Sequence, residues 1–305
     1  MAPILDADPS NWLSQLREHL GVERQSQMYL SSLTLPATHN SHATTDNIVG
    51  WAWQKMEVAN CQSSDIRAQL DMGVRSIDLR IGKDLVLRHG KVTLQGHLRD
   101  ALHTMHEWLD QHPNETIMFQ AKWDYWGDDR QPDQDKAPGQ VNDMIRKEFS
   151  ARGLVLDQQP KLSECIGKMV LFNDNGAGAF PLKGPEAPRT DLPGDMDVID
   201  AHWVHIQRVL EWALGTSSPA NQGDYYEIPC AQQSLDKLEN LTLDNLWNDI
   251  TNVKRPIDFA NVINPRLCDW LLGNIHRRGE GRLGRVYVDF ANPDLVKAIL
   301  LWNFV

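Results

Sequence analysis

The chain has 305 residues with a formal net charge of −11, 41% hydrophobic residues and 11 tryptophans. The acidic balance opposes non-specific binding to nucleic acid or to an anionic membrane, and no run of about 18 apolar residues exists to span a bilayer. Four scattered cysteines, Cys61, Cys165, Cys230 and Cys268, form no CxxC pair and read as buried thiols rather than a zinc ribbon or a disulfide framework.

The first eight residues lack the basic and apolar regions of a secretory leader. A cytoplasmic location is therefore expected, or secretion if the sequence is a trimmed mature form. Ser10 is placed to cap a helix over 9–20 with Trp12, Leu13, Leu16 and Leu20 on one face. This predicts an N-terminal helical extension over 1–30 ahead of one domain over 31–305. From Leu33 onward strand-like and helix-like runs alternate. A helix over Gln62–Met72 ends at Gly73, and one from Leu98 stops by Pro113. Thr116–Ala121 and Lys168–Phe172 read as buried strands. Further helices are expected near Gln140–Arg152, Leu235–Thr251, Arg266–Arg277 and Asp294–Trp302. Strands are expected within Asp197–Ile206, Phe259–Ile263 and Arg285–Phe290. The alternation predicts an α/β fold, an irregular (β/α)8 TIM-type barrel closed by a last strand and helix, and the length suits the roughly 250 residues such a barrel takes. The long polar segments 124–138 and 176–193 read as loops.

Two histidines carry the chemistry. His39 follows the apolar run Leu33–Thr38, and His89 follows Leu85–Leu87. Two imidazoles can act as base and acid on one bond, because each titrates near neutral pH. Between them Gly73–Arg80 reads as a strand ending in an acid and a permanent cation, Asp78 and Arg80, on one face. An arginine there suits an anionic centre that gains charge in the transition state, such as a phosphodiester. His42 with His39 and His89, or His103 with His106, would be alternative metal pairs. His103 and His106 read as solvated, and no metal site is expected.

The stretches Pro36–Ser41, Gln69–Arg80, Arg88–Gly90, Leu109–Ile117, Gly167–Phe172 and Val286–Phe290 resemble, in order and spacing, the phosphatidylinositol-specific phospholipase C X-domain family in its single-domain, bacterial-like, metal-independent form. The resemblance implies the irregular barrel and a role for each matching residue. His39 corresponds to the base that takes the proton of the inositol 2-hydroxyl, and His89 to the acid that protonates the leaving glycerol oxygen. Asp289 corresponds to the carboxylate that orients His39, and Arg80 to the side chain on the non-bridging phosphate oxygens. Asp78 corresponds to an orienter of Arg80 or of the attacking hydroxyl, and Lys122 to a lysine beside the inositol ring. Asn40 stands where bacterial members have aspartate, and asparagine there is typical of the calcium-dependent eukaryotic enzymes. Asn173-Asp174 stands where they have an inositol-reading arginine, so phosphodiester chemistry is better supported than inositol specificity. No cofactor is expected: calcium is disfavoured because Arg80 occupies the cation's position.

Trp123, Tyr125 and Trp126 beside Lys122 are placed to stack on a sugar ring or to hold a lid. Trp51 and Trp53 would give a transient contact with a membrane surface; the chain's acidity favours the ordinary packing of a rim helix for them instead. The expected partner is a phosphoinositide or another phosphodiester, with no nucleic acid. Two other readings are carried: the same chemistry on a soluble non-lipid phosphodiester, and a catalytically silent barrel that binds phosphoinositide or protein.

Overall fold

The computed structural model describes residues 8–50, 54, 57–82, 85–123, 143–147, 153–155, 160–172, 198–216, 227–231 and 254–304, with the backbone alone at 123, 154, 155 and 172. Its helices are α1 (Trp12–Gln27), α2 (Ile66–Met72), α3 (Leu98–Gln111), α4 (Val198–Thr216), α5 (Pro256–Gly273) and α6 (Pro293–Leu300). Its strands are β1 (Leu35–Thr38), β2 (Ser76–Ile81), β3 (Val86–His89), β4 (Val92–His97), β5 (Thr116–Trp123), β6 (Leu154–Val155), β7 (Lys168–Phe172), β8 (Glu227–Pro229) and β9 (Arg285–Val288). The parallel path runs β6-β7-β5-β2-β1-β9-β8, and β3 and β4 form an antiparallel hairpin on β2. From β8 through β9, β1, β2 and β5 to β7 the neighbours follow chain order cyclically, with the first strand paired to the last from Leu35↔Arg285 to Thr38↔Val288. That pairing is what a barrel makes when its sheet curls back on itself. Among the described residues the path stays open between β6 and β8.

Local sequence explains the elements nearest the site. The Asp65 carboxylate caps α2 by accepting from the Ala68 N–H at 2.8 Å. Gly73 ends the helix at φ 111°, a left-handed turn, and a Cβ there would meet Val296 and Leu300 of α6 at 3.1–3.2 Å. The turn therefore feeds the chain straight into β2. Ser10 does not cap α1: it lies inside a short 3-10 turn, Pro9–Asn11, whose cap is Asp8. Two expected strands are helical instead. The described part of Asp197–Ile206, residues 198–206, falls in α4, where Ile199, Ile206, Val209, Leu210 and Ala213 are buried at helical spacing. Phe259–Ile263 opens α5, with Phe259, Ala260, Ile263, Leu267 and Leu271 inward. A short apolar run fits either period, and length decides it. The helix expected from Arg266 is thus the second half of α5, which runs on through Pro265. Residues 143–147 are helical; the helix expected over 235–251 and both long loops lie outside the described residues.

At the lower end of the sheet a buried ion pair ties α1 to the barrel. Arg75, just before β2, and Glu115, just before β5, are 1% and 0% exposed and 2.9 Å apart. Glu115 also accepts from the Ser14 amide and hydroxyl in the first turn of α1, where a carboxylate meets the positive helix end. The Arg75 guanidinium stacks on Trp108, 4.5 Å from the ring centre. Removing one partner strands the other charge in the interior. Glu115→Ala is expected to destabilise the fold by about 3–5 kcal/mol, read as a lowered midpoint in urea unfolding.

Candidate active site

The site gathers at the carboxyl ends of β1, β2, β3 and β9, the face where barrel enzymes carry their chemistry. Parallel register sets which side chains share the inner face. Asp78 lies level with Gln120 and Arg80 with Lys122, while alternation along β9 puts Arg285, Tyr287 and Asp289 on one side. The result is a polar interior rather than an apolar one. Its lowest layer is Arg285, fully buried, donating to Ser76 Oγ, Gln120 Oε1 and Glu227 Oε2 at 2.8–3.0 Å.

Asp78 is the hub of the next layer. Completely buried, it accepts from the Asn40 amide at 2.9 Å, Arg80 Nε at 3.1 Å, Gln120 Nε2 at 2.7 Å and the Tyr287 hydroxyl. Burial alone would raise its carboxyl; Arg80, His39, the Tyr287 hydroxyl and the Asn40 amide outweigh it and hold the group well below the usual carboxylate range. Burial pushes the Tyr287 phenol well up, so it stays a proton donor toward Asp78. Arg80 is thereby fixed on one side while its side chain keeps partial exposure at the mouth, 18%.

His39 and His89, 7% and 6% exposed, stand edge to face with ring centres 5.4 Å apart. His39 Nδ1 meets Asp289 Oδ1 at 2.8 Å. A carboxylate only accepts, so Nδ1 carries the hydrogen and Nε2 is the basic atom. His89 Nδ1 meets the Ala59 carbonyl at 3.1 Å, which by the same argument puts the exchangeable proton on its Nε2. Gln62 anchors the His39 backbone by donating to the carbonyls of His39 and Val288 at 2.9 and 3.1 Å. Asn264 donates to the Asp289 carbonyl at 2.9 Å. The Asn40 side chain turns away from Arg80 and donates to the Arg88 carbonyl at 3.0 Å, with φ 37° at Asn40. Its short side chain tolerates that left-handed backbone.

The structure thus brings together His39, Asp78, Arg80, His89, Asp289 and the Asn40 amide, with Lys122 level with Arg80. Of Trp123 only the backbone is described; Trp51, Trp53, Tyr125, Trp126 and Asn173-Asp174 lie outside the described residues. His42 is not part of the cluster: its Nε2 bonds the Gln95 carbonyl at 2.7 Å. His103 and His106 lie on α3, with His106 3.7 Å from Asp110. Cys61, Cys165 and Cys230 are buried as expected, and Cys268 is partly exposed. Sequence reasoning did not single out Tyr287, Gln120, Gln62 or Cys61. Tyr287 had a signal, sitting two residues before Asp289 on a strand; Gln120 needed the β2–β5 register, and Cys61 had none.

A barrel with a carboxylate-backed histidine, a second histidine and an arginine at its mouth is the frame of an acid–base site for an anionic substrate. No family model matches the chain. The resemblance to the phosphatidylinositol-specific phospholipase C family nevertheless holds over nearly all of it. The chain is 28% identical to a 1-phosphatidylinositol phosphodiesterase of Listeria monocytogenes over 279 residues, covering 90% of this chain and 81% of the relative. It is 24% identical over 311 residues to the protein of the same name from Staphylococcus aureus, covering 94% and 90%. Among solved structures, a S. aureus phosphatidylinositol-specific phospholipase C superposes with a TM-score of 0.71 at 22% identity, covering 99% of both chains. The L. monocytogenes enzyme gives 0.67 at 18%, covering 96% and 98%. At these identities the superpositions establish the fold, a TIM-type barrel.

Proposed function

We propose that this chain is a metal-independent phosphodiesterase of the phospholipase C type, acting on phosphatidylinositol or a related inositol phosphodiester. The observation that carries the reading is the His39–Asp289 pair facing His89 beside the Asp78-held Arg80. His39 Nε2 takes the proton of a 2-hydroxyl as its oxygen bonds to phosphorus. The bond from phosphorus to the leaving alkoxyl oxygen breaks, and His89 Nε2–H returns a proton to that oxygen, leaving a cyclic phosphodiester. Asp289 stabilises the His39 imidazolium, and Arg80 supplies the charge for the developing phosphorane oxygens. A guanidinium at the phosphate supplies the positive charge that calcium would otherwise bring, so no step requires a metal. Lys122, level with Arg80, is assigned to the sugar side. The curated relatives' names support the lipid headgroup.

Phosphorus NMR of products from phosphatidylinositol, glycerophosphoinositol and simpler 2-hydroxyalkyl diesters tests this, run with and without EDTA. A cyclic phosphate from the inositol diesters at a rate indifferent to EDTA is expected. Loss of activity in EDTA with recovery on calcium would reverse the metal assignment. Cleavage confined to soluble diesters would favour the second reading, to which the net charge of −11 points.

A further inference from the structure

One group inside the site has no part in the proposed reaction. Cys61 is fully buried, and its Sγ lies 3.8 Å from His89 Nδ1. It sits in the loop before α2 that also holds the histidine pair in place. The Cys61 amide donates to the Ala43 carbonyl at 2.9 Å, and its carbonyl accepts from the Phe290 amide at 2.7 Å, next to Asp289. Both backbone bonds survive any change of side chain, so they do not explain the thiol. What the thiol adds is a third donor atom: ligand atoms of His39, Cys61 and His89 all lie within 4.8 Å of one another.

From this cluster we infer that Cys61, His39 and His89 form a binding site for a thiophilic divalent cation of the Zn²⁺ class, and that a cation bound there shuts the acid–base pair off.

The geometry is close to what such an ion needs. Bonds of about 2.3 Å to sulfur and 2.0 Å to nitrogen at tetrahedral angles put the two ligands about 3.5 Å apart. The Cys61–His89 spacing, measured to Nδ1, is already near that value, and an ion bound at Nδ1 displaces the hydrogen bond to the Ala59 carbonyl. The third ligand must close by roughly an ångström. Asp289 lies beside the three ligands without joining their cluster, so solvent completes the ion's shell. Asp289 contacts both the Cys61 thiol and His39, and its buried Oδ2 has no hydrogen-bond partner among the described residues. One thiolate and two imidazoles select zinc-like ions over calcium or magnesium, which prefer all-oxygen shells. Without the ion the thiol stays neutral: burial pushes it well up, and the Asp289 carboxylate beside it pushes the same way. An imidazole bound to a cation cannot also form an imidazolium, so His39 can no longer accept a proton and His89 no longer holds the extra proton it must deliver, and turnover stops. The ion acts here as an inhibitor and is no part of the reaction.

The inhibition rests on the acid–base reading; the binding does not, and the two are measured apart. Chelator-stripped protein is titrated with Zn²⁺ against a chromophoric chelator, and with Co²⁺ to read the thiolate-to-cobalt absorption band. We expect one site, a cobalt band that survives Cys268→Ser but vanishes in Cys61→Ser and Cys61→Ala, and Zn²⁺ affinity weakened by about 100-fold or more in both Cys61 variants. Unfolding midpoints near wild type for either Cys61 variant make the comparison valid. One equivalent of Zn²⁺ should abolish diester cleavage, EDTA should restore it, and Cys61→Ser should keep its metal-free activity in the presence of that equivalent. Equal Zn²⁺ affinity in wild type and Cys61→Ser, or no cobalt–thiolate band in wild type, overturns the site. Full activity of the Zn²⁺-loaded wild type overturns the inhibition. If no diester is cleaved under any condition, the acid–base reading fails while the titrations still decide the site.

Discussion

Replacing His39 with alanine is expected to lower kcat on the best diester by about 10²–10⁴-fold, and replacing His89 to do the same. Each imidazole is locked by one hydrogen bond at Nδ1, to Asp289 or to the Ala59 carbonyl, so each offers Nε2 alone for proton transfer. The two losses should not add in the double variant, because proton removal and proton return belong to one event. The pH–rate profile separates the roles. A base must start deprotonated, so His39 sets the acidic limb, and His39→Ala should lose that limb. An acid must start protonated, so His89→Ala should lose the alkaline limb. Asp78 cannot mimic either limb. Its carboxyl, held low by Arg80 and its other donors against the cost of burial, is ionised wherever an imidazole titrates. Its stabilising contribution is likewise present above the unfolded carboxylate pKa and is lost only as pH falls through the lowered folded value. Near-native turnover in either single variant would remove the acid–base assignment.

Replacing Arg80 with alanine should cost about 10²–10³-fold in kcat, the typical loss when one preorganised donor to a developing oxyanion is removed. The guanidinium is held by Asp78 through Nε at 3.1 Å and by the Tyr287 hydroxyl at 3.3 Å, so its orientation is set before substrate arrives. Lysine would keep the charge but not the planar fork, and Arg80→Lys should recover only part of the loss. Added guanidinium should rescue Arg80→Ala more than Arg80→Lys, since only alanine leaves room for it. A rise confined to KM, with kcat unchanged, would mean that Arg80 binds ground state and transition state alike. A calcium requirement appearing in Arg80→Ala alone would show how closely a divalent ion can replace the side chain.

Long amphipathic segments were legible from pattern. The helix from Leu98 to Gln111 announces itself by its period and by the Pro113 stop. Short apolar runs were not, and Phe259–Ile263 is helical because it continues into a helix face that only its neighbours bury. The five residues from His39 to Asp289 could be picked out because motifs preserve chemistry-bearing residue types at characteristic places along the chain. Their mutual geometry is another matter. Asp289 lies 250 positions from His39, and their pairing was expected only from the family resemblance and the closing last strand; no local signal around either residue carries it.

By itself, then, the sequence picked out the parts of the candidate site: which histidines, which arginine, and an α/β chain of barrel length. Local propensity and side-chain chemistry suffice for that. Only the tertiary structure decided how the parts are wired. Parallel register put Gln120 level with Asp78, strand alternation turned Tyr287 toward the same carboxylate, and a loop with no motif of its own set Cys61 against His89. Those contacts depend on strand pairing across tens to hundreds of residues, and pairing of that kind is chosen by the burial of the whole sheet rather than by any local signal.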